Sequence, residues 1–146
     1  MDWHTLVVAH AVPTLFLTGL IWFVQVVHYP LYSELGDDRL VAYERAHCQR
    51  ITPLVLPAMV AELALAAWLV AAAPGGATRA WALGGVGLLA IVWASTFLLQ
   101  MPAHRVLEQR ADAAAVLRLV ATNWLRTLAW TLRAVVAVRL LLLELP

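Results

Sequence analysis

Lysine is missing altogether: all ten basic residues are arginines. Chemistry that needs a lysine amine, such as a Schiff base or a retinal linkage, is thereby excluded. Cysteine is nearly missing, and Cys48 alone cannot form an intrachain disulfide. Its place near a helix start reads as packing rather than as a reactive thiol, which would need an electropositive, accessible niche. Charge is scarce as well, with 13% of residues ionised against roughly 25% in an average soluble domain. The net charge of +1 gives no basis for nucleic-acid binding. No basic residue precedes the first apolar stretch and no small-residue cleavage site follows it, so that stretch is expected to stay in the mature chain rather than act as a signal.

What fills the chain instead is hydrocarbon. Hydrophobic residues make up 63% and the mean hydropathy is +0.80. A membrane-spanning helix needs roughly 20 mostly apolar residues, and four such stretches are present: Leu6–Val27, Thr52–Ala73, Trp81–Met101 and Ala121–Leu143. The expected fold is all-α, one transmembrane four-helix bundle over residues 1–146, with short amphipathic helices before the second and fourth spans. Asp37 or Asp38 is expected to cap the helix that leads into the second span, which Pro53 and Pro57 would kink. Pro74-Gly75-Gly76-Ala77-Thr78 reads as a tight turn between the second and third spans, and Met101-Pro102 as a turn after the third. Trp3, Trp68 and Trp81 fall near one interface and Trp124 near the other, as an aromatic belt requires.

Arg39, Arg45, Arg50, Arg105, Arg110, Arg118 and Arg126 fall on one side. The bias of basic residues towards cytoplasmic loops puts that side inside and both termini outside, in what we expect to be a bacterial inner membrane.

The polar side chains crowd towards the same end of all four stretches. His28 ends the first; Glu44, His47 and Arg50 precede the second; Gln100 and His104 close the third; Asn123 and Arg126 open the fourth. Such groups are costly in lipid and face a bundle interior or a cavity. Spacings of three and four residues align Thr14, Thr18, Trp22, Gln25 and His28 on one helix face, and Trp93, Thr96, Gln100 and His104 on another. A single pocket is expected, with Trp22, Gln25, Trp93, Gln100 and Trp130 against a substrate. His47 or His104 would serve as general base, and Arg126 with Asn123 would stabilise an oxyanion. A contact of Arg126 with lipid phosphate, or with Glu44 or Glu108, is the plainer reading of the same residue.

Glu44-x2-His47 has the spacing used by di-iron carboxylate bundles. His28, Glu44, His47 and His104 form the candidate metal set, for iron, copper or zinc. Deeper in the membrane, Glu62 and Arg133 lie on helices running in the same direction at matching depth, so they are expected to form a buried ion pair. The halves also echo one another faintly, Gln25 and His28 in the first standing against Gln100 and His104 in the second.

His28-Tyr29-Pro30, the exit Met101-Pro102-Ala103-His104-x2-Leu107, and Asn123-Trp124-Leu125-Arg126-Thr127 resemble the anthrone oxygenase-like family of small four-helix membrane proteins. His104 stands where that family generally has Asn. The resemblance implies oxidation of fused-ring phenolic substrates by dioxygen without a dedicated cofactor domain. The expected function is an oxygenase-like membrane oxidoreductase for a lipophilic aromatic or quinone-like molecule. The alternatives are a non-catalytic subunit or assembly factor of a larger membrane complex, or a carrier. Expected partners are membrane lipid, the lipophilic small molecule, and further copies of the chain or a larger complex.

Overall fold

The computed structural model describes residues 1–143, and among them every regular element is helical. Helix α1 (Trp3–Phe23) passes into a π turn (Val24–His28) and a 3-10 turn (Pro30–Glu34). Helix α2 (Asp37–Ala72) follows as one continuous element. Helix α3 (Gly76–Ser95) passes into a second π turn (Thr96–Gln100) and α4 (Met101–Leu107), and α5 (Ala113–Leu142) completes the chain. The three stretches Trp3–Glu34, Asp37–Ala72 and Gly76–Leu107 are long and apolar enough to cross a membrane. Their outward faces carry exposed Val12, Phe16, Leu54, Val60, Leu83 and Leu98, while Gln25, Glu44, Glu62, Asn123 and Arg133 are buried. Such a polar interior under an apolar surface suits a chain dissolved in lipid. Helix α5 buries the most hydrogen-bonding groups, including Asn123, Arg126, Thr127 and Arg133, and these dilute its apolar run.

The helices form a ring in which α1 and α3 each pack against both α2 and α5. Long helices α2 and α5 therefore face each other across the centre. Glu62 of α2 and Arg133 of α5 span that gap, Nε to Oε1 at 2.8 Å, with both side chains sealed from solvent.

The steps Tyr29-Pro30 and Met101-Pro102 each follow a π turn and continue a helical path, so Met101-Pro102 is no break in the chain direction. Proline has no N–H and its ring crowds the carbonyl four residues back. The chain answers by widening the preceding turn: Tyr29 N–H donates to Val24 O, and Met101 N–H to Thr96 O, each spanning five residues. The two halves thus repeat one order: helix, π turn, proline, short helix, long helix. Aligned on the prolines, His28 matches Gln100 rather than His104, which displaces the register of the echo seen in sequence.

Three further expectations are revised. The helix before the second span runs into α2 without a break, as its pattern predicted, while the segment before the fourth is no separate helix but the first turns of α5. Gly36 occupies the N-cap of α2 and makes no side-chain bond, so Asp37 and Asp38 sit in the first turn and meet the helix dipole instead. The α2–α3 turn is tighter than expected, with Ala77 and Thr78 already helical. Gly75 (φ +106°) and Gly76 (φ +54°) take left-handed backbone that a side chain would strain.

Candidate functional site

A cavity of about 450 Å³ opens inside the ring. Leu17, Ile21, Val55, Met59, Trp93 and Trp130 make its apolar walls, and Tyr29, His47, Cys48, Gln100, His104 and Arg126 its polar end. Six of the side chains picked from sequence line it: His47, Trp93, Gln100, His104, Arg126 and Trp130.

The other candidates stand behind that wall. Gln25 is buried and knits α1 to α5: its amide donates to Val120 O (3.2 Å), and its carbonyl accepts from Asn123 Nδ2 (2.8 Å). Asn123 in turn offers Oδ1 to Arg126 at 3.4 Å. Both amides therefore position Arg126 and do not reach the cavity. Trp22 is misplaced in the sequence reading. It stands 38% exposed, meets Trp124 edge to face at 5.7 Å, and donates to Thr131 Oγ1 at 3.0 Å. A tryptophan on the interfacial edge of a helix gains more there than in the core, because its N–H finds a partner and its ring meets lipid.

Arg126 is the most telling member. The residue is 8% exposed and its guanidinium lies 5.1 Å over the Trp130 ring. Among the described residues no carboxylate pairs with it, and its Nε–H is buried without a protein acceptor. Neither Glu44 nor Glu108 takes it. Trp93 Nε1–H and Gln100 Oε1 are likewise buried and unpartnered, although the Gln100 amide donates to Thr122 Oγ1 at 2.8 Å. Two donors and one acceptor thus stand unmet in residues that line one cavity. Buried polar groups left unpaired are few in native proteins and ask for an explanation.

The histidines do not form the expected metal cluster. His28 stacks on His47 with centroids 4.4 Å apart and planes 27° apart, and His47 on His104 at 5.8 Å and 26°. Ring lone pairs lie in the ring planes, so near-parallel imidazoles cannot aim three nitrogens at one ion between them. His28 sits outermost, with Tyr43 OH 3.4 Å from Nδ1, and does not touch the cavity. His47 lines the cavity, and the stacked column rather than a hydrogen bond holds its ring.

His104 is held otherwise. Its Nδ1 meets Glu44 Oε1 in a short contact, and Tyr29 OH lies 3.2 Å from Nε2. Glu44, fully buried, also accepts from Tyr32 OH at 2.6 Å and from Cys48 Sγ at 3.2 Å. Ligand-bearing atoms of Glu44, Cys48 and His104 lie within 4.8 Å of one another. Helical spacing explains the set: Glu44 and Cys48 are four residues apart on α2, and His104 reaches them from α4.

Tyr29, Tyr32 and His10 were not picked as site residues from the sequence, and Cys48 was read there as packing. His10 is 3% exposed and its Nε2 lies 3.0 Å from Arg133 NH2. Extending the Thr18, Thr14 stripe one more turn reaches it. The Glu62–Arg133 pair was foreseen; its surroundings were not. Glu62 also accepts from Thr14 (2.9 Å) and Trp130 Nε1 (3.1 Å), and Arg133 NH1 donates to Gly85 O. Trp130 therefore belongs both to the cavity wall and to the buried ion-pair network. Compared with known proteins, the chain matches no family model, no curated protein and no solved structure.

Proposed function

We propose that this protein is a membrane-embedded oxidoreductase for a lipophilic aromatic or quinone-like molecule bound in the cavity at the Arg126 end. The observation that carries the reading is Arg126 itself. It is a buried cation without a carboxylate partner, at the polar end of an otherwise apolar chamber. An ionised oxygen on a flat ring supplies what the site lacks. It accepts from the guanidinium fork and from Trp93 Nε1–H, while its ring lies among Trp93, Trp130 and Met59. His47 takes the phenolic proton, because both nitrogens of His104 are already engaged with Glu44 and Tyr29. Arg126 holds the resulting phenolate. Electrons then pass from the electron-rich ring to dioxygen, the oxidant that the resemblance to anthrone oxygenase-like proteins implies.

In this reading α5 makes the fourth span of the bundle. The seven arginines at the cavity end support an orientation with that end at the cytoplasmic face of a bacterial inner membrane and both termini outside.

The test uses the full chain in detergent. Lipophilic phenols and quinols are titrated while tryptophan emission is followed, and oxygen consumption is recorded with each ligand that binds. Binding that quenches emission, is accompanied by oxygen uptake and is lost in Arg126→Leu supports the proposal. Equal binding by Arg126→Leu overturns it. A stable co-purifying membrane protein together with no binding would replace it with the subunit reading.

A further inference from the structure

We infer that Glu44, Cys48 and His104 form a binding site for one divalent transition metal of borderline softness, zinc or ferrous iron. The site adjoins the proposed substrate chamber but does not depend on what that chamber binds.

The argument begins with Glu44 Oε1. It faces two groups at once, the thiol at 3.2 Å and His104 Nδ1 in a short contact. Something positive must lie between a carboxylate oxygen and each of these atoms. Either a proton occupies each position, or one dication replaces both. When the metal binds, the thiol gives its proton to water and ligates as thiolate. The imidazole binds through Nδ1 and carries its proton on Nε2. Two anionic ligands and one neutral imidazole then cancel the dication's charge, which a buried site requires.

The surrounding groups fit this reading. A ligating histidine ordinarily donates its remaining N–H to an oxygen, and ligating carboxylates are themselves hydrogen-bonded. Tyr29 OH stands 3.2 Å from His104 Nε2, and Tyr32 OH donates to Glu44 Oε2 at 2.6 Å, leaving Oε1 for the metal. The donor set of one oxygen, one sulfur and one nitrogen suits zinc and ferrous iron better than magnesium or calcium. Cys48 and His104 also line the cavity, as does Glu108 beside the thiol. The fourth coordination position therefore opens on the cavity side, as sites that do chemistry require. The aromatic stack does not stand in the way, since His47 meets the face of the His104 ring, with planes 26° apart, whereas the Nδ1 lone pair lies in the ring plane.

Cobalt(II) is the probe, added to chelator-stripped full chain in detergent. One equivalent should bind, with a near-ultraviolet sulfur-to-cobalt band and visible bands of low coordination number, and zinc should displace it. Cys48→Ser should lose the near-ultraviolet band. His104→Ala and Glu44→Gln should weaken binding by about tenfold or more, since even an outer-shell partner is worth that much. His28→Ala should bind as the parent does. Absence of stoichiometric binding, survival of the sulfur band in Cys48→Ser, or an equal loss in His28→Ala and His104→Ala would overturn the assignment. If Glu44→Gln fails to assemble, Cys48→Ser, which removes no buried charge, decides the matter. Arg126→Leu should titrate normally, so failure of the substrate reading and failure of this one are told apart.

Discussion

Arg126 rests its guanidinium 5.1 Å from the Trp130 ring centroid, a cation over an aromatic face with no anion in reach among the described residues. The ring's negative face offsets part of the cost of burying that charge, by about 0.5–2 kcal/mol. The rest stays uncompensated until a ligand arrives. Arg126→Leu should consequently leave the fold as stable as the parent or more so, while ligand affinity falls by roughly 1.5–3 kcal/mol, the range for a charged hydrogen bond. Thermal unfolding in detergent and ligand titration on the same preparation check the two halves. A fold that collapses in Arg126→Leu would show that the residue serves structure instead.

The Glu62–Arg133 pair behaves in the opposite sense. Removing one partner strands a buried charge, and Glu62→Gln or Arg133→Met should each destabilise by roughly 3–5 kcal/mol. The double variant Glu62→Leu/Arg133→Met should recover most of that loss, because two apolar chains need no partners. Midpoints of thermal unfolding for the four proteins give the comparison; a double variant as weak as the singles would refute it.

Among the third-helix glycines only Gly85 is a contact point. A methyl group there would meet Val136 Cγ1 at 3.3 Å and Arg133 NH1 at 3.6 Å, whereas Gly84 and Gly87 have open space. Gly84→Ala and Gly87→Ala should therefore stabilise α3 by about 0.5–1 kcal/mol through helix propensity. Gly85→Leu should separate α3 from α5 and disturb Arg133, whose NH1 donates to the Gly85 carbonyl. Monodispersity after extraction distinguishes the two classes.

Asp112 caps α5 from outside the apolar region, accepting from Ala115 N–H at 3.0 Å and from Arg110 NH2 at 3.0 Å. The Ala115 N–H, with Arg110 beside it, holds this carboxyl below the usual carboxylate range. With the folded pKa lower than the unfolded one, its stabilising effect is present above the ordinary aspartate pKa of about 4 and disappears as pH falls through the folded value. Asp112→Asn keeps an N-cap oxygen but does not titrate. Its melting temperature should accordingly fall less than the parent's between about pH 5 and pH 2.

Much of this was legible in the residues. Hydropathy located the helices, and the cost of isolated charge in lipid foretold that Glu62 would find Arg133. Helical spacing placed Trp93, Gln100, His104, Arg126 and Trp130 on one interior. What the spacing could not carry was the rotation added by each π turn. A five-residue turn shifts the phase of everything beyond it, so Gln25 and His28 point elsewhere than a regular helix would send them. Trp22 was lost for another reason: a stripe of ring and hydroxyl groups says which face is polar, not whether that face looks inward or at headgroups. Cys48 was undervalued because only Glu44, four positions away, shares its face of α2, while His104, 56 positions away, joins them only once α2 and α4 are side by side.

The two wide turns have a consequence for how the chain can be cut. A helix that holds a surplus residue in such a turn can surrender it and close to the ordinary pitch around its proline, as the helices already do at Pro13, Pro53 and Pro57, without twisting what lies on either side. Deleting lipid-facing Leu98 or Val26 should thus leave His104 and Tyr29 in place. The same cut made elsewhere in these helices swings every later side chain by about 100°. Tolerance to single-residue loss should be concentrated at these two points, in helices that otherwise permit none.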